Sequence, residues 1–170
     1  GISLLLIDRH TQGISANKIN KLGWHASDTA ELGFDQVKVP VSNLIGNEGD
    51  GFRYLMAGLQ LERLTAAIHS LATADSALQY TLDYIGQREA FGNKLHDLQA
   101  IRHRIAQMAA DIATTKAFVY QCCDLQNQGE YAVQDCSIAK LQASELAVQV
   151  VSNCLQLFGG YGYTKDYPVE

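Results

Sequence analysis

At 170 residues and 18.6 kDa, the chain has room for one core of ordinary size, or for one domain with part of a second attached. Apolar residues make up 47% and charged residues 18%, with 2 Pro and 14 Gly, which excludes disorder and a collagen-like repeat and predicts a folded chain. Thirteen basic against eighteen acidic residues leave a net charge of -5, so the chain offers no electrostatic footprint for nucleic acid.

The first 45 residues carry strand patterning. Apolar positions at Ile2, Leu4 and Leu6 lead into a polar turn from Asp8 to Gly13, then a short run at Ile14 to Ile19, and a third at Glu31 to Val39 that ends before Pro40. Three strands are few for an independent sheet, so this part reads as the end of a β domain. From Gly49 onward the period is helical. Asp50 stands as a candidate cap for a helix with two apolar stripes, one through Phe52, Leu55, Leu59 and Ala66, the other through Met56, Ala67, Leu71, Ala74, Leu78, Leu82 and Ile85. Two stripes predict burial on two sides. A loop at Arg88 to Asp97 precedes a second helix with the seam Leu98, Ile101, Ile105, Met108, Ile112, Val119, Cys122. After Gln128 and Gly129, a third helix is predicted from about Ala132 to Phe158, with Ile138, Leu141, Leu146, Val150, Val151 and Leu155 as its buried set, ended by Gly159, Gly160 and Gly162. The expected fold is mainly α: an antiparallel bundle of three long helices over residues 47–170, preceded by a β-domain remnant over residues 1–46.

No apolar run is long enough to cross a bilayer, and residues 1–30 contain no basic segment followed by an apolar one, so neither a membrane span nor a secretory leader is expected. Cys122, Cys123, Cys136 and Cys154 lack a CxxC spacing and a nearby His cluster. They read as reduced core thiols with no metal site, which suits a cytoplasm or an organelle matrix.

Three features could carry chemistry. Glu62 falls between Leu59 and Ala66 on an apolar stripe, and a carboxylate in an apolar setting retains a proton more readily than one in water, as a general base must after it acts. A structural ion pair with Arg63 or with a facing helix accounts for the same spacing. His69 lies two turns on, about 10 Å along the axis, too far for a dyad. The loop Gln87 to Gly92 combines Arg88, Phe91 and a glycine: the guanidinium suits a phosphate and the ring a heterocycle, while an ordinary helix connection is the plainer reading. The glycines after Gln156 permit close backbone approach to a ligand, although they lack the GxGxxG spacing of a dinucleotide fold.

Four motifs in order, FDQVKVP at Phe34 to Pro40, NEGDGF at Asn47 to Phe52, QREAFG at Gln87 to Gly92 followed by Gln99, and LQLFGGYGYTKDYPVE at Leu155 to Glu170, resemble the acyl-CoA dehydrogenase family across essentially the whole chain. The resemblance implies a flavoprotein that removes two hydrogens from the α and β carbons of an acyl-CoA thioester, with FAD as hydride acceptor and a trans-2-enoyl-CoA as product. Isovaleryl-CoA and long-chain acyl-CoA dehydrogenases carry the catalytic glutamate within a segment similar to LQLERL, where Glu62 stands. Other members carry it on a loop after YPVE. By the same resemblance Arg63 lines the acyl-CoA pocket. Arg88 and Phe91, with Gln99, Gln156, Gly159 and Gly160, hold the FAD of a neighbouring subunit within a dimer of dimers. Electron-transfer flavoprotein is the implied acceptor, and a bacterial cytoplasm or mitochondrial matrix the implied compartment. Segments on both sides of the match in full-length members are missing, so the isolated chain is expected to bind FAD weakly and to lack turnover. A related flavin oxidase, of acyl-CoA oxidase or nitroalkane oxidase type, and a noncatalytic helical assembly module are the alternatives.

Overall fold

A computed structural model describes residues 1–169. The chain divides into two compact units, one ending at Ala57 and the other beginning at Gly58. In the first unit, strand β1 (Leu4–Leu5) pairs antiparallel with β4 (Leu44–Ile45), and β2 (Ile14–Lys18) pairs antiparallel with β3 (Ala30–Phe34). No apolar side chain of this unit is buried; Leu6, Phe34 and Val41 are all exposed. Two separate strand pairs without a core fit the remnant of a larger sheet. The boundary between units lies inside helix α1 (Gly51–Gln87), because the helix start is tied to the strand segment. Gly51 N–H donates to the Ile2 carbonyl at 2.7 Å, and a Cβ at Gly51 would come within 2.7 Å of that same oxygen. Asp50 does not cap through its carboxylate. That group instead accepts from Arg53 at 3.1 Å and Asn47 at 3.3 Å, which holds it below the usual carboxylate range.

The second unit is the helical bundle. α1 is followed by a hairpin of β5 (Glu89–Ala90) and β6 (Asn93–Lys94), a 3-10 turn at Leu95–Asp97, helix α2 (Gln99–Asn127), helix α3 (Val133–Leu157) and a 3-10 turn at Gly159–Tyr163. One hydrophobic cluster runs through all three helices. On α1 it takes Leu64, Ala67, Leu71, Ala74, Leu78 and Ile85, a 3-and-4 spacing that keeps one stripe facing inward. Met108, Ile112, Val119 and Cys122 of α2 meet Cys136, Ala139, Ala143, Leu146, Val150, Cys154 and Leu157 of α3.

The bundle differs from the sequence expectation in which faces it buries. On α3, Leu146 and Val150 are inside, but Ile138, Leu141 and Leu155 are exposed and Val151 is half-buried. The helices pack on the small side chains of Ala139, Ala143, Cys136 and Cys154 instead, which allow close approach and leave the bulky stripe outside. On α1, the stripe through Phe52, Leu55 and Ala66 is exposed and only Leu59 is half-buried. Met56 and Leu82 of the other stripe also face out. Polar Gln60, 5% exposed, takes the core register one turn before Leu64.

Candidate functional site

The connection from α1 to α2 builds one wall of a groove. Arg88 N–H donates to the Tyr84 carbonyl, and Leu95 N–H donates to the Arg88 carbonyl, each at 2.9 Å. Between them the hairpin turns at Phe91 and Gly92 with φ of 55° and 80°, the left-handed pair that a two-residue turn requires. Phe91 is 90% exposed. An aromatic ring on left-handed backbone in open solvent contributes nothing to the core, so its face is available to another molecule.

The end of α3 builds the other wall. Phe158 stacks on Tyr84 with ring centroids 4.1 Å apart, and Tyr84 Oη donates to the Phe158 carbonyl at 3.4 Å. Tyr167 lies edge-on to Tyr84 at 5.4 Å and to Tyr161 at 5.6 Å. Burial pushes the Tyr84 phenol up, and the charge of Arg88 pulls it partly back. Gly159 has φ of 59°, and a Cβ at Gly159 or Gly160 would meet nothing within 4 Å, so the chain leaves bare backbone where a side chain would project into space. Gly162 packs tightly instead, since a Cβ there would come within 2.6 Å of the Leu155 carbonyl.

The groove between these walls measures about 700 Å³, and Arg88, Phe91, Gln156, Gly159 and Gly160 all line it. The cation, the ring and the bare backbone, far apart in sequence, thus share one cleft. Gln99, at the first position of α2, is exposed and is not among the lining residues.

Glu62 is placed differently from the sequence expectation. It is exposed, because the buried stripe of α1 passes through Gln60 and Leu64, which sit on the far side of the helix from it. Among the described residues it makes no ion pair, with Arg63 or with any other basic group, so the structural-pair reading has no support in this chain. Its side chain leans toward Gly58, where a Cβ would stand 4.0 Å from Glu62 Oε1. Arg63 is half-buried beside it. At 1.5 Å per residue, Glu62 and Tyr84 are about 33 Å apart along α1, so the carboxylate and the groove of one chain lie at opposite parts of the helix.

The family model described as acyl-CoA dehydrogenase, C-terminal domain, matches residues 49–170. The chain belongs to the acyl-CoA dehydrogenase family. An acyl-CoA dehydrogenase of Bacillus subtilis (strain 168) is 41% identical over 100% of this chain and 45% of its own length. The mitochondrial short/branched chain specific acyl-CoA dehydrogenase of Bos taurus is 38% identical over 100% of this chain and 40% of its own length. A crystal structure of an acyl-CoA dehydrogenase from Geobacillus kaustophilus matches with a TM-score of 0.97 at 42% identity, over 99% of this chain and 45% of that one. The chain spans less than half the length of these relatives. Acyl-CoA dehydrogenases are in general FAD-dependent, act on acyl-CoA and pair with electron-transfer flavoprotein.

In this chain of the acyl-CoA dehydrogenase family, Tyr84 and Tyr161, which no motif singles out as site residues, also line the groove, together with Phe158 inside the Gln156 to Gly160 segment. The available signal was an aromatic residue set between two glycines after a helix end, at Gly160, Tyr161 and Gly162. His69 lines a second cavity of about 540 Å³, with Thr73, Ser76 and Tyr80 of α1 and Val151 and Cys154 of α3. Among the described residues no three His, Cys, Asp or Glu come close enough to hold a metal ion, and no helix is long and apolar enough to cross a membrane.

Proposed function

We propose that these residues form part of an FAD-dependent acyl-CoA dehydrogenase that converts an acyl-CoA to a trans-2-enoyl-CoA, with Glu62 as the base for the α proton. Residues 1–46 are the last strands of its middle β domain and residues 47–170 its helical bundle domain. The observation that carries the cofactor reading is the single cleft lined by Arg88, Phe91, Gln156, Gly159 and Gly160. These residues fit FAD. The Arg88 fork pairs with a pyrophosphate, the Phe91 ring offers a stacking face to the adenine, and bare backbone at Gly159 and Gly160 admits close approach. Gln99 joins them from the start of α2. When bound, FAD supplies a hydride acceptor for the β carbon.

The chain's own work is binding and proton transfer. Glu62 takes the α proton, which the thioester carbonyl makes acidic, and Arg63 lines the acyl-CoA pocket beside it. The face of α1 around Glu62 carries exposed Leu55 and Ala66 and half-buried Leu59, so covering that face would enclose the carboxylate in apolar surroundings and exclude water from the reacting carbon. The separation of about 33 Å between Glu62 and the groove along α1 supports a flavin site completed by a neighbouring subunit, within a dimer of dimers. Electron-transfer flavoprotein would be the acceptor partner of such an enzyme, in a bacterial cytoplasm or a mitochondrial matrix.

The test is purification of the longest form that the gene encodes, with flavin absorbance and enoyl-CoA formation measured together. One FAD per chain with acyl-CoA-dependent turnover is expected. A protein that binds no flavin, or that binds it and leaves acyl-CoA thioesters unchanged, overturns the reading.

A further inference from the structure

Arg88 follows the last turn of α1, is exposed, and has no carboxylate partner among the described residues. Its guanidinium carbon lies over the Tyr161 ring, 5.4 Å from the centroid. The ring is itself supported: Tyr161 meets Tyr167 at 5.6 Å, and Tyr167 meets Phe158 at 5.2 Å. Tyr161 also stands between two cavities, the groove described above and a smaller one of about 370 Å³ that includes Asp83. An arginine at a bundle end has many rotamers, and a carboxylate holder would occupy its donors and cancel its charge. An aromatic face holds the cation and leaves the in-plane N–H fork and the full charge free for an anion.

We propose that Tyr161 is a positioning residue that holds the Arg88 guanidinium in the groove, so that the diphosphate of a bound dinucleotide meets a pre-oriented fork. The inference rests on reading the groove as the FAD site. The ring supplies the hold and the hydroxyl has no part in it, so phenylalanine replaces tyrosine without loss.

The test measures the FAD dissociation constant and the thermal unfolding of the apoprotein, in the longest form the gene encodes, for Tyr161→Leu, Tyr161→Phe, Arg88→Gln and the double variant Arg88→Gln/Tyr161→Leu. Tyr161→Leu weakens FAD about three- to tenfold, Tyr161→Phe binds as the unsubstituted protein does, and Tyr161→Leu adds nothing once Arg88 is glutamine. The apoproteins unfold at closely similar temperatures. If the leucine variant does not fold, Tyr161→Met takes its place. Unchanged affinity in Tyr161→Leu overturns the inference, as does equal weakening in Tyr161→Phe or a full additional loss in the Arg88→Gln background. An unchanged FAD constant in Arg88→Gln overturns the cofactor reading itself.

Discussion

Phe91 holds its left-handed backbone at the hairpin tip, a conformation that costs a residue with a Cβ on the order of 1–2 kcal/mol. Glycine would remove that strain at the cost of the ring. Phe91→Gly is therefore expected to leave the melting temperature unchanged or slightly raised while weakening FAD, a pair of shifts read by calorimetry and flavin titration; a lower melting temperature with unchanged flavin affinity would contradict it. Cys122, Cys136 and Cys154 are buried and Cys123 is half-buried, and burial gives Cys122 a titration signature. Cys122 is pushed up to about 11 from its ordinary value of 9.0, first by burial and then by nearby Cys136, Asp135 and Cys123. A raised thiol favours the folded state fully below pH 9, and the advantage disappears as pH rises through about 11. Denaturant unfolding should show stability falling over that window. Iodoacetamide at pH 8 should modify half-buried Cys123 well before Cys122, Cys136 or Cys154, which are buried, and mass spectrometry of the native chain checks this.

Element positions were readable because the punctuation is strong. Gly86 with the Arg88 to Asp97 loop, Gln128 with Gly129, and the glycines after Phe158 separate the three helices. The inward face was harder to read, since hydrophobicity marks Ile138, Leu141 and Leu155, whereas close packing selects Ala139, Ala143 and Cys154. The same ambiguity put Glu62 on an inward stripe, while the core instead takes Gln60. Gln60 Nε2 donates to Gln126 Oε1 at 2.7 Å and to the Glu130 carbonyl at 3.1 Å, pinning the α2–α3 turn to α1, while its buried Oε1 finds no partner in the structure. Gln60→Glu would turn a carboxylate toward two acceptor oxygens. The variant should lose roughly 2–3 kcal/mol at pH 7 and regain part of it below about pH 5, as the new carboxyl binds a proton and becomes a donor. Thermal unfolding at both pH values checks this; equal stability at the two would contradict it.

At the scale of the molecule, motif order identified the family, and one groove collects five of the six residues that the resemblance assigns to FAD. Periodicity could not show which apolar face stays open, because that depends on what covers it. The stripe through Phe52, Leu55 and Ala66 is exposed here, and Glu62 stands within it. The isolated 170 residues are accordingly expected to show no acyl-CoA turnover, with at most weak flavin binding; robust turnover by this chain with stoichiometric flavin would contradict the account. The central claim concerns Glu62 as the proton base, and its most direct test is Glu62→Gln in the longest form the gene encodes. Enoyl-CoA formation is expected to fall by about 10²–10⁴-fold while FAD content and melting temperature stay as they were. Turnover within a factor of two of the unsubstituted enzyme would remove Glu62 from the reaction.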